Sequence, residues 1–277
     1  MTHDSNLLQI ANDSGFPLQI AVEHQVTATT ASHGWRVRYI EHSWINRQDG
    51  QSGFIDLVLQ DQYGFTFMIV ECKRVRDTTW LFLRSDGAGE KRRHSKSWIS
   101  HYSNGVMKSF GWEDIAIDPP CHEALFCATR GQSTNDKRTM FERIGGELIS
   151  ATEALAIEEK NFWPSVDYPI LFYFNVIVTT ADLKVAKFSP NDISLADGTL
   201  ASAEFEDVPF VRLRKQMSMR EALLTSGGNN NNREVSYSKE NTVFIVRADA
   251  ILEFLSQFKV PDESIRLILY NSATARE

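Results

Sequence analysis

Three polar residues interrupt two otherwise apolar runs: Asp56 in FIDLVLQ (54–60), and Glu71 and Lys73 in FTFMIVECK (65–73). Residues two apart on a strand share a face, so Glu71 and Lys73 point the same way while Cys72 points to the other side. If the turn Asp61-Gln62-Tyr63-Gly64 joins Gln60 to Phe65, Asp56 lies opposite Ile69 and diagonal to Glu71. A slip of two residues sets Asp56 directly opposite Glu71 and keeps the shared face. Diagonal neighbours are about 7–8 Å apart at Cα, which lets the two carboxylates converge on one ion. Mg²⁺ prefers oxygen ligands in octahedral geometry and takes one or two carboxylates, leaving positions for water and phosphate oxygen. Asp56 and Glu71 would supply those ligands, the main-chain carbonyl of Cys72 a third, and Mn²⁺ would substitute for Mg²⁺. Such an ion acidifies water and neutralises transition-state charge, while Lys73 orients the water or stabilises the developing charge. The chemistry this set implies is phosphodiester hydrolysis.

The elements that must position these residues follow from periodicity. Pro17 opens LQIAVEHQVTATT, where Leu18, Ala21, Val22 and Val26 recur at helical spacing, predicting a helix over 17–30. Glu23 lies on it beside Ile20 and Val26. Trp35, Val37 and Tyr39 alternate with Arg36 and Arg38, as on a strand, and with 54–60 and 65–73 they make a three-stranded meander. Trp98, Tyr102, Val106 and Phe110 follow at four-residue spacing, predicting a helix over 95–110, with a buried strand at 123–130 after it. Further on, 141–160 reads as a helix weakened by Gly145-Gly146. YPILFYFNVIVTT (168–180) reads as a central strand that turns back into LKVAKF. Strands at PFVRLRK and NTVFIV and a helix at ADAILEFLSQF complete the pattern, with a polar loop at 226–233.

The net charge of −7 argues against a protein that coats nucleic acid by bulk attraction. The residues from Lys73 to Lys96 are the exception, with eight bases against three acids, a local +5 that leaves −12 elsewhere. Within this stretch Lys91, Arg92, Arg93, His94 and Lys96 form a run expected to lie in a loop leaving the third strand, where it would contact nucleic-acid phosphates. His94 and His101, seven apart, would share a helical face with Lys108. Three cysteines (Cys72, Cys121, Cys127) make no disulfide framework, and the spacing of Cys121, His122 and Cys127 does not make a zinc finger. The start lacks the pattern of a signal peptide, and no run is long enough for a membrane span, so a cytoplasmic protein without membrane association is expected. With no glycine-rich phosphate loop, ATP-driven motor activity would come from a partner or be absent.

Ile55-Asp56, fourteen intervening residues and Glu71-Cys72-Lys73, preceded by a helix carrying Glu23, resemble the PD-(D/E)xK nuclease superfamily. Its α-β-β-β-α-β core order matches the elements read over 17–130. The resemblance covers about the first half of the chain. It implies an α/β fold of the restriction-endonuclease-like kind, a mixed central sheet flanked by helices with an integrated C-terminal α/β extension. The core would span 1–165 and the extension 166–277, a single compact unit being the alternative. It also implies that Asp56, Glu71 and Lys73 are catalytic, with Glu23 as an auxiliary acid on the metal side. Residue 55 is Ile where the motif's name has Pro, and the glutamine-and-tyrosine helix of the RecB-like branch is replaced by His94, Trp98, His101 and Tyr102. The expected activity is that of a Mg²⁺-dependent endonuclease acting on DNA, with a role in prokaryotic genome defence and its partner proteins implied by the resemblance alone. A non-hydrolytic nucleic-acid-binding or regulatory protein and an RNA-directed nuclease are the alternatives. Because one site cuts one strand, at least a transient homodimer is expected on duplex DNA.

Overall fold

Runs of β-branched and aromatic residues that cannot all face water form the middle of a nine-stranded mixed sheet. The computed structural model describes residues 3–47, 50–85, 91–103, 106–129, 140–159, 170–217, 236–237 and 239–274. After helices α1 (His3–Asp13), α2 (Phe16–Ala28) and α3 (Thr30–His33) come β1 (Trp35–Ile45), β2 (Ser52–Asp61) and β3 (Thr66–Lys73). Next are β4 (Thr79–Ser85), β5 (Arg92–Ser103), β6 (Val106–Cys121), β7 (Glu123–Ala124) and β8 (Phe126–Thr129). Helix α4 (Met140–Glu159) leads to β9 (Ile170–Thr179), β10 (Asp182–Phe188), β11 (Glu204–Asp207), β12 (Phe210–Gln216) and β13 (Glu240–Arg247). Helices α5 (Ile251–Gln257) and α6 (Asp262–Thr274) follow.

The large sheet runs β1-β2-β3-β9-β13-β12-β7, with β5 pairing both β6 and β9. β1, β2 and β3 form the expected antiparallel meander, β9 lies parallel to both β3 and β13, and every residue of β9 is buried. Strands from either side of residue 165 therefore share one sheet. A smaller sheet, β11-β10-β4-β8, branches off where β10 pairs in parallel with β4. Alternation along β2 and β3 sends Val58, Phe67 and Ile69 into one core layer with α4, and Leu57, Leu59, Met68 and Val70 into another with α2, α5 and α6. The protein is thus a mixed α/β fold with helices on both faces of the central sheet, and no helix among the described residues is long and apolar enough to cross a membrane.

The sequence expectation fails between residues 91 and 130. In place of a helix over 95–110 there is the β5–β6 hairpin, in which Trp98 pairs with Trp112, their rings 5.6 Å apart and edge to face. Four-residue spacing is an even number as well as a helical repeat, so it marks one face of a strand equally well. The run 91–96 is accordingly not a loop, because Arg92 to Lys96 begin β5. The strand expected at 123–130 is split between the two sheets as β7 and β8. The polar stretch 226–233 lies outside the described residues.

α4 is fixed by polar contacts as well as apolar ones. Glu159 pairs with Arg38 at 3.1 Å and accepts a hydrogen bond from the Tyr173 hydroxyl at 2.9 Å. Glu153 accepts from Trp112 Nε1 at 2.6 Å, and Thr152 donates to Asn175 Oδ1 at 2.7 Å. The Gly145-Gly146 pair permits close approach: a β-carbon at 145 would stand 2.5 Å from Met217 Sδ, and one at 146 would stand 3.1 Å from the Met217 carbonyl.

The β2–β3 register depends on Asp61. Its carboxylate accepts from the backbone N–H groups of Gly64, Phe65 and Thr66 at 2.7, 3.1 and 3.2 Å. Gln60 consequently pairs with Phe67 and Leu57 with Val70, a two-residue slip from the register expected if Gln60 were joined to Phe65. Asp61→Ala would leave three donors with poorer partners in a buried turn, and is expected to lower unfolding free energy by about 2 kcal/mol. Urea denaturation measures this; a midpoint equal to wild type would remove Asp61 as the pin of the hairpin.

Candidate active site

One step past the Leu57–Val70 pair, the register sets Asp56 opposite Glu71. The ladder gives way here: Asp56 Oδ2 accepts the Cys72 N–H at 2.7 Å, a side chain standing in for the main chain. Both carboxylates open into a cavity of about 420 Å³ under α4, bounded by Trp44, Ile144, Leu148 and Glu147. Glu71 and Lys73 are half-buried, and among the described residues neither forms a hydrogen bond or ion pair through its side chain. The end of β3 is held by β9, since Thr179 Oγ1 and the Thr180 N–H both donate to the Lys73 carbonyl, at 2.9 and 3.4 Å.

Electrostatics set this place apart. Burial raises the carboxyl of Asp56 above its ordinary value, with the Cys72 N–H opposing and Glu41 reinforcing the shift. Glu71 is pushed up to about 7, by burial first and by the charge of Asp56 second, with Lys73 pulling the other way. Cys72 faces the other layer, against the α2 and α5 core, and burial pushes its thiol far above the ordinary range. Among the described residues no group of three or more His, Cys, Asp or Glu side chains is placed to hold a metal ion unaided. Two carboxylates with room for water suit Mg²⁺ or Mn²⁺, and fall short of the three or four protein ligands Zn²⁺ usually takes.

The other expected site residues lie elsewhere. Glu23 sits on α2, which packs on the opposite face of the sheet from α4, and among the described residues it makes no hydrogen bond or ion pair. It is Gln19, one turn earlier, that reaches the strands, donating to Glu41 Oε1 at 2.6 Å and to the Asp56 carbonyl at 3.2 Å. Glu41 adopts φ +50° on β1, a left-handed conformation uncommon for a residue with a side chain. Lys91, just before β5, and Arg92, Arg93 and His94 on it are exposed and do not line the cavity of Asp56 and Glu71. Arg92 pairs with Glu123 at 3.3 Å, Arg93 with Asp118 at 3.1 Å and the half-buried Lys96 with Asp114 at 3.5 Å. His101 is buried 3.5 Å from Glu113, whereas His94 is exposed, so the two histidines do not share a face.

Sequence reasoning missed Gln19, Glu41, Glu147 and Thr179. Gln19 was visible as a polar residue on the stripe of Val22 and Val26, and Glu147 as an acid flanked by the apolar Ile144 and Leu148. Glu41 and Thr179 carried no local signal. Comparison with protein-family models, with curated proteins and with solved structures finds no match for this chain.

Glu71 links pH to stability. Its carboxyl titrates near 4.5 when unfolded and near 7 when folded, so its favourable contribution is complete below 4.5 and is lost as pH rises through 7. In EDTA, Glu71→Gln is therefore expected to melt above wild type at pH 8, with the difference shrinking towards pH 5. Mg²⁺ at pH 8 should raise the melting temperature of wild type and leave Glu71→Gln unmoved. A difference independent of pH would show that Glu71 is not held in a charge-disfavouring site.

Proposed function

We propose that the chain is a divalent-metal-dependent nuclease of the PD-(D/E)xK kind, hydrolysing phosphodiester bonds of DNA. The observation that carries this reading is the convergence of Asp56 and Glu71 from facing strands into one cavity, partly desolvated, with Lys73 as the neighbouring cation. A purely structural pair of carboxylates would be expected to face a matched cation or several donors. Asp56 has a single backbone donor, and Glu71 has none among the described residues.

The order of elements supports the same reading. α2, β1, β2, β3, α4 and β9 run as helix, three antiparallel strands, helix and a strand parallel to the third. α4 and β9 stand in the places that sequence reading assigned to 95–110 and 123–130, and β4–β8 form an insertion between β3 and α4. Asp56 and Glu71, with the Cys72 carbonyl, would hold a Mg²⁺ or Mn²⁺ ion. When bound, such an ion supplies Lewis acidity towards a phosphate oxygen and towards water. Lys73 follows Glu71 on the same face and offers an ammonium to the charge that grows on the phosphate during attack. The apolar side chains of Ile144 and Leu148 shield the carboxylates on the α4 side, which strengthens every charge interaction inside the cavity.

The test is incubation of purified protein with plasmid, linear duplex, single-stranded DNA and RNA, each with Mg²⁺, Mn²⁺ or EDTA. Cleavage is expected with either ion and not with EDTA. Asp56→Asn, Glu71→Gln and Lys73→Ala should each reduce it by on the order of a hundredfold or more while remaining folded. Cys72→Ala, which alters only the far face of β3, should stay within about tenfold of wild type and lose about 1 kcal/mol of stability. Full cleavage by a folded Asp56 or Glu71 variant would overturn the assignment of that residue. Absence of hydrolysis on all four substrates would overturn the reading.

A further inference from the structure

A protein that cuts a polyanion beside its own carboxylates must hold that polyanion with cations alongside them. The basic run is poorly suited to this, because Arg92, Arg93 and Lys96 are taken up by acids. Other cations stand closer to the site. Arg47, Lys73 and Arg143 form no hydrogen bond or ion pair among the described residues. Lys73 and Arg143 lie on β3 and α4, and Arg47 lies in the turn between β1 and β2, all elements that wall the cavity of Asp56 and Glu71. Arg47 and Arg143 are exposed.

α4 sets the spacing of the two arginines. Ile144, Glu147, Leu148 and Ala151 line the cavity, and Arg143 stands one turn before Glu147 on the same side of the helix. The two do not close into an ion pair, so the guanidinium stays available. Further along α4, Asn46 Nδ2 donates to the Ser150 carbonyl at 3.5 Å and to Glu153 Oε2 at 3.3 Å. These bonds fasten the β1–β2 turn to the helix, and Gln51, Ser52 and Gly53, on the return side of that turn, continue the cavity wall towards Asp56. Arg47 follows Asn46 directly and is thereby held near the Ser150–Glu153 end of the cavity, with Arg143 at the other end. At about 1.5 Å of rise per residue, positions 143 and 150–153 are about 10–15 Å apart along the axis. Lys73 shares the strand face of Glu71, so the cations flank the carboxylates instead of neutralising them.

We propose that the scissile DNA strand runs along α4 across the mouth of this cavity, with Arg143 and Arg47 on backbone phosphates to either side of the one that meets Asp56, Glu71 and Lys73. The inference rests on the nuclease reading, and binding and cleavage are measured separately so that each can fail alone. Binding of a fluorescently labelled DNA duplex to Asp56→Asn protein in EDTA is followed by anisotropy between about 50 and 200 mM salt. Arg47→Ala and Arg143→Ala, made in that background, are each expected to weaken binding at least about threefold and to reduce the slope of log affinity against log salt by about one. Arg266→Ala is the control: Arg266 is equally exposed and without a hydrogen bond or ion pair among the described residues, but it lies on α6, which packs on the other face of the sheet. It should leave affinity and slope unchanged. An unchanged affinity and slope in either Arg47→Ala or Arg143→Ala, an equal loss in Arg266→Ala, or no binding of the duplex would each overturn the proposal, whether or not wild type hydrolyses DNA. The expected losses in both variants, together with absence of hydrolysis by wild type in Mg²⁺, would uphold the strand path and overturn the nuclease reading.

Discussion

Two carboxylates are held side by side in a half-buried place, and among the described residues neither is paired with a cationic side chain. Like charges brought together away from water repel, and the cost falls on the fold unless a proton or an external cation relieves it. Much of the surrounding architecture resists that repulsion. The Asp61 turn fixes the strand register, Gln19 bridges Glu41 and the main chain at Asp56, and Thr179 and Thr180 hold the end of β3. α4 forms the roof, and its own buried acids, Glu153 and Glu159, are satisfied by Trp112, Tyr173 and Arg38. The contrast is informative: Glu153 and Glu159 of α4 are partnered, whereas among the described residues Glu71 on β3 below it has no hydrogen bond or ion pair.

The charge pattern of the chain takes a different form in three dimensions. The basic run from Lys91 to Lys96 looks like an isolated positive patch, yet its cations meet acids that arrive from β6 and β7. Asp114, Asp118 and Glu123 lie some twenty to thirty residues further along the sequence, so their pairing with Lys96, Arg93 and Arg92 emerges only when the chain folds back on itself. Part of the apparent excess is therefore internal structure.

The meander and the face shared by Asp56 and Glu71 were legible because period-two alternation, a turn and interrupting polar residues all agreed. β9 was equally clear, since a ten-residue strand buried on both faces tolerates little besides apolar side chains. The register was less accessible, because Asp61 reads as an ordinary turn residue until its carboxylate is seen to gather three N–H groups. The β5–β6 hairpin was misread for a physical reason: Trp98 and Tyr102 recur at an interval that both a helix and a strand place on one face. Gly145-Gly146 pointed to a weak helix, but the relevant fact was the proximity of Met217, some seventy residues away in the chain, which no local propensity encodes.

The insertion of β4–β8 and α4 between β3 and β9 also bears on how the chain reaches its fold. The meander closes through short turns, whereas the parallel β3–β9 pairing must wait for a partner that follows a long excursion. Until β9 arrives, β3 presents an unpaired edge of Phe67, Met68, Ile69 and Val70, a sequence well suited to pairing with another chain. A chain in which β3 has not yet met β9 would therefore expose an edge suited to strand addition. Glu71 and Lys73, the charged residues at the end of that edge, are of the kind that disfavours strand addition by another chain.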